Sequence, residues 1–207
     1  MSSAVMPPST ISPVTRIRIF VDFWNFQISL NHVHAAPKVD WAQLGPWLAT
    51  EAGTVLGLGA SPQYEGMHVY LSYGANDAKL RHWATTVLDR FPGVVVNGKN
   101  RKAKAAPKCA SCSTVIHSCP NCSAALRGTV EKGVDTAIVT DIVSMAWQGT
   151  FDVAVILSSD ADFIPAVEFL DRKNLKTINA HFPPDGMELA RKCWGSIDLR
   201  TRKPPTR

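Results

Sequence analysis

The chain has 207 residues, 45% of them hydrophobic and 19% charged, which suits one packed domain with a small appendage and excludes a disordered chain. No apolar run reaches the roughly 18 residues of a membrane span, so an integral membrane protein is excluded. The opening MSSAVMPPSTISPVT has neither the basic start nor the apolar stretch of a secretory leader, and the net charge of +5 belongs to a chain expected in the cytoplasm.

Taken in chain order, residues 1–15 read as a polar, proline-containing flexible tail. Residues 16–22, RIRIFVD, have the alternation of a strand that ends in an acid. Residues 40–53 read as a helix with Asp40 as N-cap and Trp41, Leu44, Trp47 and Leu48 on one face. Pro46 falls early in it, where its missing N–H costs little. A second strand is expected over 67–73, a helix over 77–91 and a third strand over 93–97. Residues 98–129 form a basic, cysteine-bearing insert. A helix (134–147), a strand (152–158), a helix (161–174), a strand (176–182) and a short helix (187–193) follow, and residues 200–207 form a basic tail. No internal repeat stands out. Alternating strands and helices imply an α/β domain over 16–199 around a mostly parallel sheet. The strand VAVIL is apolar at every position, as a central strand covered on both faces should be.

Four of the five cysteines form two close pairs, Cys109-x-x-Cys112 and Cys119-x-x-Cys122. Each such turn offers two thiolates from one knuckle, and four thiolates make a tetrahedral zinc site. A structural Zn²⁺ is therefore expected in the insert, against a redox dithiol as the competing reading. His117 is expected to stay exposed, and Cys193 to be a small buried apolar residue.

Charge is segregated. Of 22 basic residues, seven lie between Gly98 and Lys132 and four in the last ten positions, leaving 11 elsewhere. Of 17 acidic residues, one lies in each of those segments, leaving 15. A net negative body with two basic segments suggests a polyanionic partner. Lys99, Arg101, Lys102 and Lys104, beside the knuckles, are the expected substrate-binding cations, with Lys132 as a further one.

In a parallel sheet, sites form beyond the carboxyl ends of the strands. Asp22 ends the first strand, Asp160 and Asp162 follow the fourth, and Glu131 and Asp135 lie at the start of the helix before it. Carboxylates gathered from separate segments repel one another unless a cation compensates them, and a hard divalent ion is the usual solution. No Ser-His-Asp or Cys-His pattern is apparent, and His32, His34, His68, His82 and His181 are scattered.

Asp22-x-x-Asn25 at a strand end, the run Glu131-Lys-Gly-Val-Asp135, the later Asp141, and Ser158-Ser-Asp160-Ala-Asp162-Phe163 together resemble the NYN-domain family of PIN-like nucleases, closest to its LabA-like branch. The resemblance spans about residues 16–199 apart from the insert, which is not general to the family. Ser159 stands where the family usually has glycine. The resemblance implies a three-layer α/β sandwich and one or two Mg²⁺ or Mn²⁺ ions held by Asp22, Asp135, Asp160 and Asp162. Asn25 would orient Asp22 or touch substrate. Asp141 matches a recurrent acid of that branch. It lies six residues past Asp135, about 240° around an ideal helix, so it ranks below the others as a supporting or structural acid.

The function implied is metal-dependent hydrolysis of phosphodiester bonds, in RNA ahead of DNA, with the zinc insert aiding substrate binding. The competing class is a catalytically silent module of the same fold that binds nucleic acid or protein. A weaker third is a phosphatase or nucleotide hydrolase using the same acids. Expected partners are nucleic acid and, among proteins, a second copy of the chain, with no membrane.

Overall fold

The computed structural model describes residues 14–34, 37–74, 76–126 and 128–207. Nearly all of the expected tail 1–15, and Arg127 of the insert, lie outside these. Strands β1 (Arg16–Asp22), β2 (Gln63–Tyr73), β3 (Val94–Asn100), β6 (Val153–Leu157), β7 (Lys176–His181) and β8 (Gly195–Asp198) form one six-stranded sheet in the order β3-β2-β1-β6-β7-β8. Every pairing in it is parallel. Strands β4 (Lys102–Ala103) and β5 (Thr129–Val130) pair antiparallel as the stem of the insert.

The helices form two layers, and strand alternation dictates which. Ile17, Ile19 and Val21 of β1 with Val153, Val155 and Leu157 of β6 face helices α1 (Phe23–Val33), α2 (Trp41–Val55) and α3 (Ala78–Thr86). Phe20 of β1 with Ala154 and Ile156 of β6 face α4 (Val134–Trp147), α5 (Ile164–Arg172) and α6 (Met187–Ala190). Both faces of β6 are buried, as its unbroken apolar run requires. The result is the expected three-layer sandwich.

Besides the short β4–β5 pair, two elements go beyond the sequence-based expectations. Helix α1 begins directly at the end of β1, with Phe23, Phe26 and Leu30 on its buried face. Strand β8 is four residues with one fully buried side chain, Ile197, too short to carry a pattern. The expected helix 77–91 ends at Thr86 and continues after Val87 as a 3₁₀ turn.

The last residues pack onto the body. The Asp40 N–H donates to the Pro205 carbonyl (2.9 Å) and that of Arg207 to Lys38 (2.8 Å). The Arg207 Nε lies 3.7 Å from Asp40, and Arg202 pairs with Glu51.

The insert contains a backbone repeat that the sequence marks only through its cysteine pairs and the serine after each. Residues 107–116 and 117–126 trace the same turn twice. The Cys109 N–H donates to Thr114 (2.9 Å) as that of Cys119 donates to Ala124 (2.8 Å). The Ser113 N–H returns to Cys109 as that of Ser123 returns to Cys119. Ser113 and Ser123 take the left-handed conformation at φ 59° and 58°. The repeat is one of backbone geometry, fixed by each CxxC turn, while the side chains around it differ.

Candidate active site

Sheet order reverses direction between β1 and β6, and the crevice at their carboxyl ends is where such folds bind ligands. Asp22 is the last residue of β1 and is only 7% exposed. Its Oδ1 accepts the N–H of Asn25 (3.2 Å) as N-cap of α1, and its Oδ2 accepts the Ser158 hydroxyl (3.3 Å). Beyond β6, the Asp160 N–H donates to the Ser158 Oγ (3.2 Å), and Asp160 caps the next turn by accepting the Asp162 N–H (2.9 Å). Asn25 reaches across from α1 and accepts the Ser159 N–H (2.8 Å). From the other side Asn179, fully buried on β7, donates to the carbonyls of Ile156 (3.0 Å) and Ser158 (2.9 Å). The turn 158–160 is thus pinned by two asparagines. Gly186, at φ 78°, packs under it, where a Cβ would come within 3.0 Å of the Ser159 Cα.

Asp135 lies in the first turn of α4, which starts after left-handed Gly133. Asp135 and Asp162 are exposed and line one side of an open groove of about 690 Å³. Burial pushes the Asp22 carboxyl up to about 6, and the charges of Asp135 and Glu131 push the same way against the Asn25 and Ser158 hydrogen bonds. Asp135 is also raised, by burial first and then by Asp160, Glu131 and Asp162. None of these five acids forms an ion pair with Lys or Arg among the described residues. A set of mutually repelling oxygen donors without a counter-ion fits a hard divalent cation in kind. In position, no three His, Cys, Asp or Glu side chains among the described residues are gathered closely enough to hold a metal.

Asp141 is placed elsewhere. It accepts the Tyr70 hydroxyl (2.7 Å) between α4 and the sheet, and burial together with this bond raises the phenol far above its ordinary range. Nearby, His68 meets Arg18 (3.0 Å) and is lowered to about 4 by burial and that charge.

β3 runs to Asn100, so the expected start of the insert at 98 falls inside the main sheet, with Lys99 in β3 and Lys132 beyond β5. The expected substrate-binding cations divide into two kinds. Lys99, Lys102, Lys104 and Lys132 are exposed. Arg101 is fixed: its guanidinium lies 4.9 Å from the Trp24 ring and its Nε donates to the Ser72 hydroxyl (2.9 Å). That hydroxyl donates to Glu131, and the Trp24 indole donates to the Ser72 carbonyl (2.9 Å). Sequence reasoning passed over Ser72 and Trp24. Ser72 is a buried polar residue at the carboxyl end of β2, the criterion that singles out Asp22. The cysteines occupy their two knuckles, but no three of the four thiols are gathered closely enough to hold a metal. Cys112 is lowered to about 7 by the Thr114 hydroxyl (3.1 Å) and by nearby backbone N–H groups and Cys109. Cys193 is raised to about 12 by burial, in keeping with an apolar role.

Among known proteins, the family model described as NYN domain matches residues 16–199. A crystal structure of a protein of unknown function from Vibrio parahaemolyticus RIMD 2210633 is similar at a TM-score of 0.58 and 18% identity, over 90% of this chain and 93% of that one. At that identity the likeness speaks for the fold alone. No curated protein matches.

Proposed function

Since the chain belongs to the NYN domain family, whose fold is nuclease-like, we propose that it is a metal-dependent nuclease hydrolysing phosphodiester bonds, in single-stranded RNA ahead of DNA. The observation that carries this reading is the acid group at the β1/β6 switch point, which has no Lys or Arg ion pair among the described residues, and in which burial first and acidic neighbours second raise Asp22 and Asp135. Asp22, Asp135, Asp160 and Asp162 would hold Mg²⁺ or Mn²⁺. A bound ion would supply Lewis-acid polarisation of the phosphodiester and stabilise charge on the leaving oxygen.

The chain's own residues do the rest. Asn25 and Asn179 fix the turn that carries Asp160. Ser158 orients the Asp22 carboxylate by donating its hydroxyl to Oδ2. Cations bordering the acids must hold the polyanion. Lys99, Lys102 and Lys104 are free to do so, and Arg101 presents its remaining guanidinium nitrogens from a fixed position. Zn²⁺ on Cys109, Cys112, Cys119 and Cys122 would order the insert.

The second reading, a silent binding module, draws on the absence of a gathered metal-ligand group among the described residues. Incubating labelled single- and double-stranded RNA and DNA with the chain, in Mn²⁺, Mg²⁺ or EDTA, separates the two. Metal-dependent cleavage that drops by orders of magnitude in Asp22→Asn and Asp160→Asn is expected. Intact RNA under all conditions, or undiminished cleavage by both variants, would overturn the assignment.

A further inference from the structure

At the amino-terminal edge of the sheet, opposite the acids, stand the two most exposed tryptophans among the described residues. Trp147, at the end of α4, is 73% exposed, and Trp194, just before β8, is 64% exposed. A lysine ammonium lies 4.1 Å from each ring centroid, Lys173 over Trp147 and Lys176 over Trp194. The two lysines bracket the turn from α5 into β7, Lys173 capping α5 and Lys176 opening β7. Left-handed Asn174 (φ 57°) and the Leu175 N–H bonded to Leu170 (3.0 Å) hold it closed. One four-residue turn therefore delivers a cation to each of two aromatic platforms. Neither lysine is in an ion pair with a carboxylate among the described residues. Segments 168–176 and 191–194 together carry five basic residues against two acids, although the body of the chain is net negative.

This edge is connected to the acids. The groove bordered by Asp135 and Asp162 shares Val139 and Thr140 with a second groove of about 530 Å³ whose far end is walled by Trp147 and Phe169. The channel follows α4. From Asp135 to Trp147 is about 18 Å at ~1.5 Å per residue, or about five stacked nucleotides at ~3.4 Å each.

We propose that this Trp-Lys-Lys-Trp edge is a second binding surface for single-stranded nucleic acid, receiving the strand that runs from the acidic site along the α4–α5 groove. Aromatic platforms interleaved with cations suit a strand whose bases stack and whose phosphates need counter-charge. A protein partner would fit less well, because lysine is depleted where tryptophan is enriched in protein interfaces. The proposal rests on the acidic site handling single strands, and the test keeps the two apart.

Binding in EDTA is measured for the full chain with fluorescent single-stranded RNA of about 20 and about 4 nucleotides, the shorter falling short of the ~five-nucleotide channel. Turnover in Mn²⁺ is followed on the longer RNA and on bis(p-nitrophenyl) phosphate. Trp147→Ala, Trp194→Ala and the double variant Lys173→Gln/Lys176→Gln are compared with the parent. Each tryptophan variant should weaken the longer RNA by about tenfold and leave the short RNA and the small diester unchanged. Unchanged affinity for the longer RNA in all three variants would overturn the proposal. So would an unchanged affinity accompanied by loss of a dimer in sedimentation, which would assign the edge to protein contact. If the variants lose RNA affinity while the parent cleaves neither substrate, the surface stands and the catalytic reading falls.

Discussion

Asp22 ends β1, caps α1 and lies almost fully buried beside other acids, and these positions pull on its proton in opposite directions. Burial wins, and the carboxyl titrates near 6 rather than near 4. The native state thus holds this proton more tightly than the unfolded chain. The stabilisation is fully present below about pH 4 and is lost as pH rises through 6. Asn at this position keeps the cap without the charge. Asp22→Asn should therefore be more stable than the parent at pH 7–8 by on the order of 1–3 kcal/mol, with the advantage vanishing near pH 4. Thermal melts across that range check it, and a pH-independent difference would refute the buried charge. The position of Asp22 was legible from the sequence because a strand ending in an acid is a local pattern. Asn25, three residues on, was legible with it. The rest of its surroundings was not. Ser158 and Asn179 come from elements far along the chain, and no spacing encodes that meeting.

Among the elements, β1, α4 and β6 were readable because each has a periodicity or an apolar run that only one environment satisfies. α1 escaped although Phe23, Phe26 and Leu30 keep helical spacing, because its cap, Asp22, reads first as a site acid and polar Asn25, Gln27, Asn31 and His32 dilute the stripe. β8 escaped because four residues are too few. The doubled knuckle escaped because only its cysteines and the serine after each pair recur in step. The purified chain should carry about one Zn²⁺ per chain on four thiolates, and Cys109→Ser or Cys122→Ser should lower that content while the sheet still melts cooperatively. Elemental analysis with circular dichroism checks both, and a zinc-free chain would refute the site.

Across the whole molecule, cations lie on two sides of a net negative body: the insert beyond one end of the sheet and the lysine turn at the other. The C-terminal arginines are partly occupied, with Arg202 and Arg207 paired to Glu51 and Asp40. The triple variant Lys99→Ala, Lys102→Ala, Lys104→Ala should weaken single-stranded RNA binding and flatten the log–log salt slope by up to about 2, at ~0.7 per phosphate contact. An unchanged slope in a salt titration would remove the insert from the substrate path. The insert also interrupts the chain at a telling place. It hangs on the crossover between β3 and α4, which joins the half carrying Asp22 to the half carrying Asp135, Asp160 and Asp162. The stretch 110–118 between Cys109 and Cys119 is exposed. A chain severed there would leave two fragments, each with three parallel strands and three helices, which meet along the β1–β6 ladder and where α4 packs on β1 and β2 and α2 on β6 and β8. Neither fragment would own the full set of acids, so the acidic centre is by construction divisible, complete only when the two pieces reassemble.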